Sequence, residues 1–273
     1  MAFAPRPALF AVAALIALAG CASRDAHVPE FARKPYEPFT REAAVAIALR
    51  EWRLFGEVVV HDGAPAEAAA ANATDHAERR QGLWQRVGEY WWLGLNDGQA
   101  GHGFTGLHDA QGRRFPPEQD GTYAWSAAFI SYVMRIAGAG ARFPYSASHF
   151  VYVDAAVRAS RSGEGILRAE DPALYAPQLG DLICVARGPQ KALEFADLPF
   201  SPFAGHCDVV VMRDAGQLAG VGGNVDDAVA MKYVPLTPEG RLISTPDHPW
   251  LAVIHVLYDP SPDGASASSQ PKP

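Results

Sequence analysis

The segment YAWSAAFISYVMRIAG, residues 123–138, places a serine where a predicted helix begins. Apolar side chains recur at helical spacing from Trp125 to Ile136, which predicts a helix with one buried face. Ser126 lies in the first turn, where free backbone N–H groups and the helix dipole stabilise developing negative charge. A hydroxyl needs a neighbouring base to become a nucleophile. Ser126 is therefore a candidate nucleophile, with a helix N-cap as its alternative role.

A candidate base follows in the strand-like run AGHCDVVVM. His206 opens this run, and Asp208 lies two residues later on the same face of the predicted strand. These residue types predict that His206 activates Ser126 as a general base. Asp208, Asn224 or Asp226 would then orient the imidazole. A buried histidine in a structural hydrogen bond is the alternative for His206.

Other polar and aromatic residues lie near these candidates in the sequence. Trp125 and His149 are candidates for the wall of a substrate groove, although a histidine on a helix surface is the alternative for His149. Asp181, in the run LGDL, is predicted to accept hydrogen bonds from backbone N–H groups of a turn. Ser146 is a candidate N-cap for a helix that follows it.

No metal and no organic cofactor is predicted. His102, His108 and Asp109 share one glycine-rich segment, but their spacing matches no established pattern of metal ligands. The run GVGGNVDD, residues 220–227, contains glycines without the strand–turn–helix setting of a dinucleotide-binding site. The candidate reaction therefore depends on side chains alone.

Helical patterns precede strand patterns along the chain. Residues 41–56 and 83–95 have the apolar spacing of amphipathic helices. From Gly180 onward, short β-branched runs alternate with turn residues and predict strands. Helices followed by strands indicate an α+β domain, with N-terminal helices packed on a small antiparallel sheet. We place this domain at residues 41–259.

The N-terminus predicts export and lipid anchoring. Residues 1–20 have the basic start, apolar run and small residues of a signal peptide, and the run is too short to span a membrane. LAGC resembles a bacterial lipobox, which implies that Cys21 is the acylated first residue of the mature protein; an unlipidated signal peptide is the alternative. An aspartate after the lipidated cysteine would favour retention in the inner membrane. Because Ala22 occupies that position, we expect the lipoprotein to lie at the outer membrane, facing the periplasm. We expect residues 21–40 to form a tether between the lipid and the domain, and residues 260–273 to form a disordered tail.

The composition argues against nucleic acid as a partner and leaves open whether two cysteines form a disulfide. The formal net charge is -7 and the basic residues form no cluster, whereas nucleic-acid binding requires neutralisation of phosphates. Nucleic acid is therefore not an expected partner. Cys184 and Cys207 each lie in an apolar strand-like run. We expect two buried free thiols, with a disulfide as the alternative that an oxidising compartment permits.

The motifs named above resemble, in order, those of the cysteine, histidine-dependent amidohydrolase/peptidase family and its NlpC-type relatives. The matching stretches are WSAAF (125–129), PQLGDL (177–182), GHCDVV (205–210) and GGN (222–224). The resemblance covers residues 83–258. It implies a papain-like fold and cleavage of amide bonds in peptidoglycan peptides. Ser126 would take the place of the catalytic cysteine, His206 that of the base and Asn224 that of the orienting residue.

The runs WSAAFIS and HCD are also similar to a bacterial lipoprotein family catalogued as domain of unknown function 2272. We therefore expect an envelope lipoprotein that cuts amide bonds in wall peptides. Because serine replaces cysteine, a catalytically inactive papain-like module that binds wall peptides or a partner protein is the alternative. A serine esterase is a third interpretation, although the chain lacks a G-x-S-x-G elbow.

Overall fold

The computed structural model describes residues 38–61, 76–116, 123–246 and 248–260. The predicted signal peptide, Cys21, most of the predicted tether and the tail from residue 261 lie outside the described residues. The described part has four α-helices: α1 (Arg41–Leu54), α2 (Leu83–Gly94), α3 (Ser126–Ile136) and α4 (His149–Ser162). It has seven strands: β1 (Val59–His61), β2 (Leu167–Glu170), β3 (Leu182–Ala186), β4 (Gly205–Asp214), β5 (Gln217–Val225), β6 (Ala228–Pro235) and β7 (Ala252–Val256). Across these described ranges, no helix combines the length and the hydropathy that crossing a bilayer requires.

The predicted α+β class is confirmed, but the sheet is larger than predicted. Its order is β1-β6-β5-β4-β3-β7-β2. β1 pairs with β6 in parallel, and the other neighbouring strands are antiparallel. The expected small antiparallel sheet is therefore a seven-stranded mixed one. The strands that the sequence did not indicate, β1 and β2, are the two edges, and their 3 and 4 residues are too few to carry a period-two pattern.

Helix α3 lies between α2 and the sheet, and glycines allow this close packing. Every residue from Ser126 to Met134 is buried. A Cβ at Gly94 would come within 2.4 Å of the Ala128 carbonyl oxygen, and one at Gly223 within 2.6 Å of Phe129 Cβ. Side chains at these two positions would force α3 away from α2 and from β5. The glycines therefore fix the depth at which the candidate nucleophile helix sits.

Both faces of the sheet are covered by apolar side chains, and the side chains of β4 alternate between the two faces. Cys207 belongs to the main apolar core beside the helices. Val210 and Trp250 belong to a second apolar cluster on the opposite face. Because side chains alternate along a strand, His206 and Asp208 project from the face of Val210 and not from the helix face.

Cys184 and Cys207 form a disulfide, so the expectation of two free thiols is wrong. The two cysteines are directly opposite each other in the antiparallel register of β3 and β4, with Cα atoms 4.2 Å apart. This separation is typical of a non-hydrogen-bonded antiparallel pair, in which side chains lie closest. The sequence shows neither the pairing of these strands nor their register, and the register decides the bond.

Candidate functional site

Ser126 and His149 contact each other where two helices begin. Ser126 is the first residue of α3, and its Oγ lies 2.8 Å from Nε2 of His149, the first residue of α4. The N-cap residue of α3 is Trp125, and the Ser126 hydroxyl hydrogen-bonds to the imidazole rather than to the backbone of its own helix. The structure therefore favours the nucleophile–base geometry over the N-cap role.

The imidazole of His149 is buried and neutral. The residue is only 4% exposed, so the alternative of a helix-surface histidine is wrong; the first turn of α4 faces α3. Burial, and then the neighbouring His206, hold the pKa of His149 well below its usual value. A neutral imidazole at neutral pH has a nitrogen able to accept a proton. Its Nδ1 atom is buried and has no hydrogen-bond partner in the described chain.

His206, Asp208 and Lys232 form a second buried group. His206 Nε2 lies 2.8 Å from Asp208 Oδ1, and Lys232 Nζ lies 3.1 Å from Asp208 Oδ2. Burial alone would raise the pKa of Asp208, but Lys232 and His206 outweigh it and hold that pKa well below its usual range. Burial lowers the pKa of His206 to about 4. Neutral His206 must therefore donate its Nε2–H to the ionised Asp208, which leaves Nδ1 as the acceptor.

The Ser126–His149 pair and the His206–Asp208–Lys232 group adjoin each other at the start of β4. They do so through the two histidines and not through the predicted Ser126–His206 contact. The ring centroids of His149 and His206 are 5.5 Å apart. In the part of the chain that the structure describes, Ser126 makes its hydrogen bond to His149 and none to His206. The predicted Ser126–His206 pair is therefore replaced by Ser126–His149. The physical reason is strand alternation, which turns His206 away from the helix face.

Asn224 does not orient His206 in this structure. It lies within a break in the strand register of β5, between Gly222 and Val225, and has a left-handed backbone with φ +56°. Its carboxamide forms no hydrogen bond with any described residue, whereas Asp208 contacts the imidazole directly. Asp226 is exposed in the hairpin turn that follows. Of the three predicted orienting residues, only Asp208 hydrogen-bonds to His206.

The glycines of GVGGNV make room for the site. A Cβ at Gly222 would lie 1.9 Å from Asp208 Oδ1 and 2.8 Å from His206 Nε2. A Cβ at Gly220 would lie 3.0 Å from Asp208 Cβ. This part of β5 therefore provides the space in which the His206–Asp208 pair is held.

Beside this pair lies a pocket of about 430 Å³ on the sheet face away from the helices. His206, Asp208 and Lys232 form part of its wall, together with Arg187 and Trp250. Ser126 and His149 are not among the lining residues. Within the described ranges, no three His, Cys, Asp or Glu side chains are grouped as ligands for a metal ion.

Residues 78–256 match the family model described as "Uncharacterized protein conserved in bacteria (DUF2272)". The chain belongs to this family. The predicted resemblance to domain of unknown function 2272 is thereby confirmed, while lipidation of Cys21 and a papain-like relationship stay predictions. No curated protein and no solved structure is significantly similar to the chain.

The DUF2272 segment contains the whole site, including Lys232 and Arg187, and also buried Glu78 beside Trp125; the sequence indicated none of these three charged residues. Glu78 accepts a hydrogen bond from Trp125 Nε1, and burial raises the pKa of its carboxyl to about 7. Trp125 is 1% exposed and packs against Tyr90, so it belongs to the core and not to a groove wall. Charged residues such as these have no distinguishing local pattern, since their neighbours come from distant parts of the chain.

Two predicted polar roles have different outcomes. Asp181 accepts hydrogen bonds from the backbone N–H groups of Gln178 and Val256, so its structural role is confirmed. Ser146 does not cap α4, because the N-cap residue is Ser148. Ser146 Oγ instead accepts the N–H of Ser148 in the turn before the helix. The predicted cap was therefore two residues too early.

Proposed function

We propose that this protein is a hydrolase of amide bonds that uses Ser126 as its nucleophile and His149 as its general base. The observation that carries the proposal is the 2.8 Å contact between Ser126 Oγ and His149 Nε2 at the start of α3. A hydroxyl and a neutral imidazole at this distance form the pair required for nucleophilic acyl transfer.

The reaction follows from the positions of these groups. Ser126 Oγ attacks the amide carbonyl while His149 Nε2 accepts its proton, and the imidazolium then protonates the leaving amine as the C–N bond breaks. Water, deprotonated by neutral His149, then attacks the Ser126 ester, and the acid product leaves as Ser126 Oγ regains its proton. The first i→i−4 hydrogen bond of α3 runs from Phe129 N to Trp125 O. The N–H groups that precede it in the first turn would stabilise the oxyanion, together with the helix dipole.

Asp208 supports the same step through its charge. His149 lacks a carboxylate of its own, since its Nδ1 has no partner among the described residues. The ionised Asp208 acts on His149 from beyond His206 and favours the protonated form of its imidazole. It would therefore stabilise the imidazolium that forms during attack. Asp208 and His206 are positioning residues in this proposal, not the base.

We propose peptidoglycan peptides as the substrate class. The support is the resemblance of residues 125–129 and 205–210 to the cysteine, histidine-dependent amidohydrolase/peptidase and NlpC-type enzymes, which also suggests a papain-like arrangement. The lipobox around Cys21 adds a location, because an outer-membrane lipoprotein facing the periplasm would be held beside the cell wall. No cofactor takes part in the proposed reaction.

A fluorophosphonate probe tests the nucleophile directly. Wild-type protein should be labelled covalently and should release new amines from purified wall fragments, whereas Ser126→Ala should do neither. Ser131→Ala is the matched control, because Ser131 is also a buried, hydrogen-bonded serine on α3 and should leave labelling intact. Thermal unfolding of all three proteins would show that each is folded. Labelling that persists in Ser126→Ala would contradict the proposal.

A catalytically inactive binding module is the second candidate function. One observation favours it: Ser126 is only 6% exposed and does not line the neighbouring pocket, whereas His206 does. Such a module would bind wall fragments equally well in wild type and Ser126→Ala, with no labelling and no released amine in either. Product release that depends on Ser126 would exclude it.

A further inference from the structure

The pocket beside His206 carries an unusual charge for this protein. The whole chain has a formal net charge of -7. The pocket wall contains the three cations Arg187, Lys191 and Lys232. Among the described residues of this wall there is one carboxylate, that of Asp208. Because Asp208 is paired with Lys232, two cationic side chains in the wall are left to attract an anion.

The side-chain donors of Arg187 and Lys191 have no partner among the residues that the structure describes. The backbone N–H of Arg187 bonds to Ala204, but its guanidinium forms no ion pair or hydrogen bond within the described residues. Desolvation is the largest influence on the pKa of Arg187 and lowers it, while Asp208 and Asp226 act in the opposite sense. An anion placed against a partly desolvated guanidinium would make charge-assisted, bidentate hydrogen bonds. Lys191 is exposed at the pocket mouth and likewise forms no ion pair with a described residue.

Apart from His206 and His248, the other side chains of the wall are apolar. Ile183 and Val185 project into the pocket from β3, and Pro249 and Trp250 close another side. A ligand that fits must therefore combine an anionic group with a small apolar or aliphatic portion. A volume of about 430 Å³ is large enough for a residue or two of a peptide and too small for a folded partner.

We infer that this pocket binds the side-chain carboxylate of an acidic peptide, with the anion held by Arg187 and Lys191. The inference rests on the proposed function, because it makes the pocket the specificity site of the hydrolase. Substrate bound there would lie beside His206, whose ring adjoins that of His149. Acidic peptides would then be selected over neutral ones of the same length.

The experiment compares two ligands that differ by one charge. Full-length Ser126→Ala protein, which should not turn over substrate, is titrated calorimetrically with N-acetyl-alanyl-glutamate α-amide and with the glutamine analogue. The glutamate peptide should bind about tenfold more tightly, because a hydrogen-bonded charge pair is lost with glutamine. Arg187→Gln should remove this preference. Arg158→Gln is the matched control, an exposed arginine on α4 that does not line the pocket, and should keep it.

Each other outcome overturns the inference. Equal binding of the two peptides, or binding of neither, would show that the pocket does not select a carboxylate. A preference that survives in both Arg187→Gln and Lys191→Gln would place the anion elsewhere. Tighter binding of inorganic phosphate than of the glutamate peptide would assign the pocket to phosphate compounds. Because Ser126 is absent from this assay, failure here leaves the labelling test of the hydrolase unaffected, and the reverse also holds.

Discussion

The hydroxyl of Ser126 lies 2.8 Å from Nε2 of His149, and each residue is the first of its helix. The contact joins two residues 23 positions apart in sequence and is buried from solvent. Hydroxyl and imidazole are thus brought together by the meeting of two helix N-termini, whereas His206 belongs to the adjoining strand. Substitution of His149 and substitution of His206 should therefore affect Ser126 differently.

Replacing His149 should impair the nucleophile far more than replacing His206. In His149→Gln, Ser126 loses the group that accepts its proton, and general-base catalysis contributes about 10²–10⁴-fold. We therefore expect the rate of fluorophosphonate labelling to fall by that factor. His206→Gln should cause a smaller decrease, since His206 makes no hydrogen bond to Ser126 in the described structure. Equal losses in the two variants, both folded by circular dichroism, would contradict the assignment of the base.

The labelling rate should stay high into mildly acidic conditions. A general base works in its neutral form, so the rate falls only as the pH drops through the pKa of His149 in the folded protein. Burial and His206 place that pKa well below 6.5, and the acidic midpoint of the rate should therefore lie below pH 6.5. In Asp208→Asn the midpoint should move lower still, because the carboxylate favours protonated His149. A midpoint at or above pH 6.5 in wild type would count against His149 as the base.

Glu78→Gln should stabilise the protein at pH 8 and have little effect at pH 4. Burial raises the pKa of Glu78 from 4.5 to about 7, so stability is lost as the pH rises through this range and the buried carboxyl must ionise. The shift corresponds to about 3 kcal/mol in the free energy of unfolding. Glutamine keeps an oxygen that can accept the Trp125 hydrogen bond. Urea unfolding at the two pH values measures the difference, with exposed Glu164→Gln as a control that should show none.

Reduction of the Cys184–Cys207 disulfide should destabilise the fold without abolishing it. The bond closes a loop with a sequence separation of 23, for which loop-closure entropy predicts a loss of about 3 kcal/mol in the free energy of unfolding. Denaturant unfolding with and without reductant measures this loss. The double variant Cys184→Ser, Cys207→Ser should be insensitive to reductant. An equal response of wild type and double variant would show that the disulfide does not form.

Gly222→Ala should displace the His206–Asp208 pair. The added Cβ would lie 1.9 Å from Asp208 Oδ1, so the carboxylate or the strand must move. We expect a loss of acidic-peptide binding and slower fluorophosphonate labelling. Gly220→Ala is a graded comparison on the same strand, because its Cβ would approach Asp208 Cβ only to 3.0 Å. If Gly222→Ala matched wild type in both assays, the site would not depend on this pair.

Local patterns in the sequence were sufficient for the helices and for the fold class. The helices predicted at 41–56 and 83–95 form as Arg41–Leu54 and Leu83–Gly94, and the serine helix begins at Ser126 as expected. Helical periodicity is a property of residues close together in the sequence. It can therefore be recognised without knowledge of how distant segments pack. The same holds for the turn role of Asp181, which depends on a backbone N–H three residues away.

Pairings between distant elements were decided only by the tertiary structure. The sequence indicated Ser126 as a nucleophile and His206 as its base, but the partner of Ser126 depends on where α4 begins relative to α3. The Cys184–Cys207 bond likewise depends on the register of β3 and β4. Sequence by itself therefore determined part of the set of residues that could do chemistry, including Ser126, His206 and Asp208, and the elements on which they lie. The packing of those elements, which depends on long-range contacts and on the space left by glycines such as Gly222, determined which of them meet.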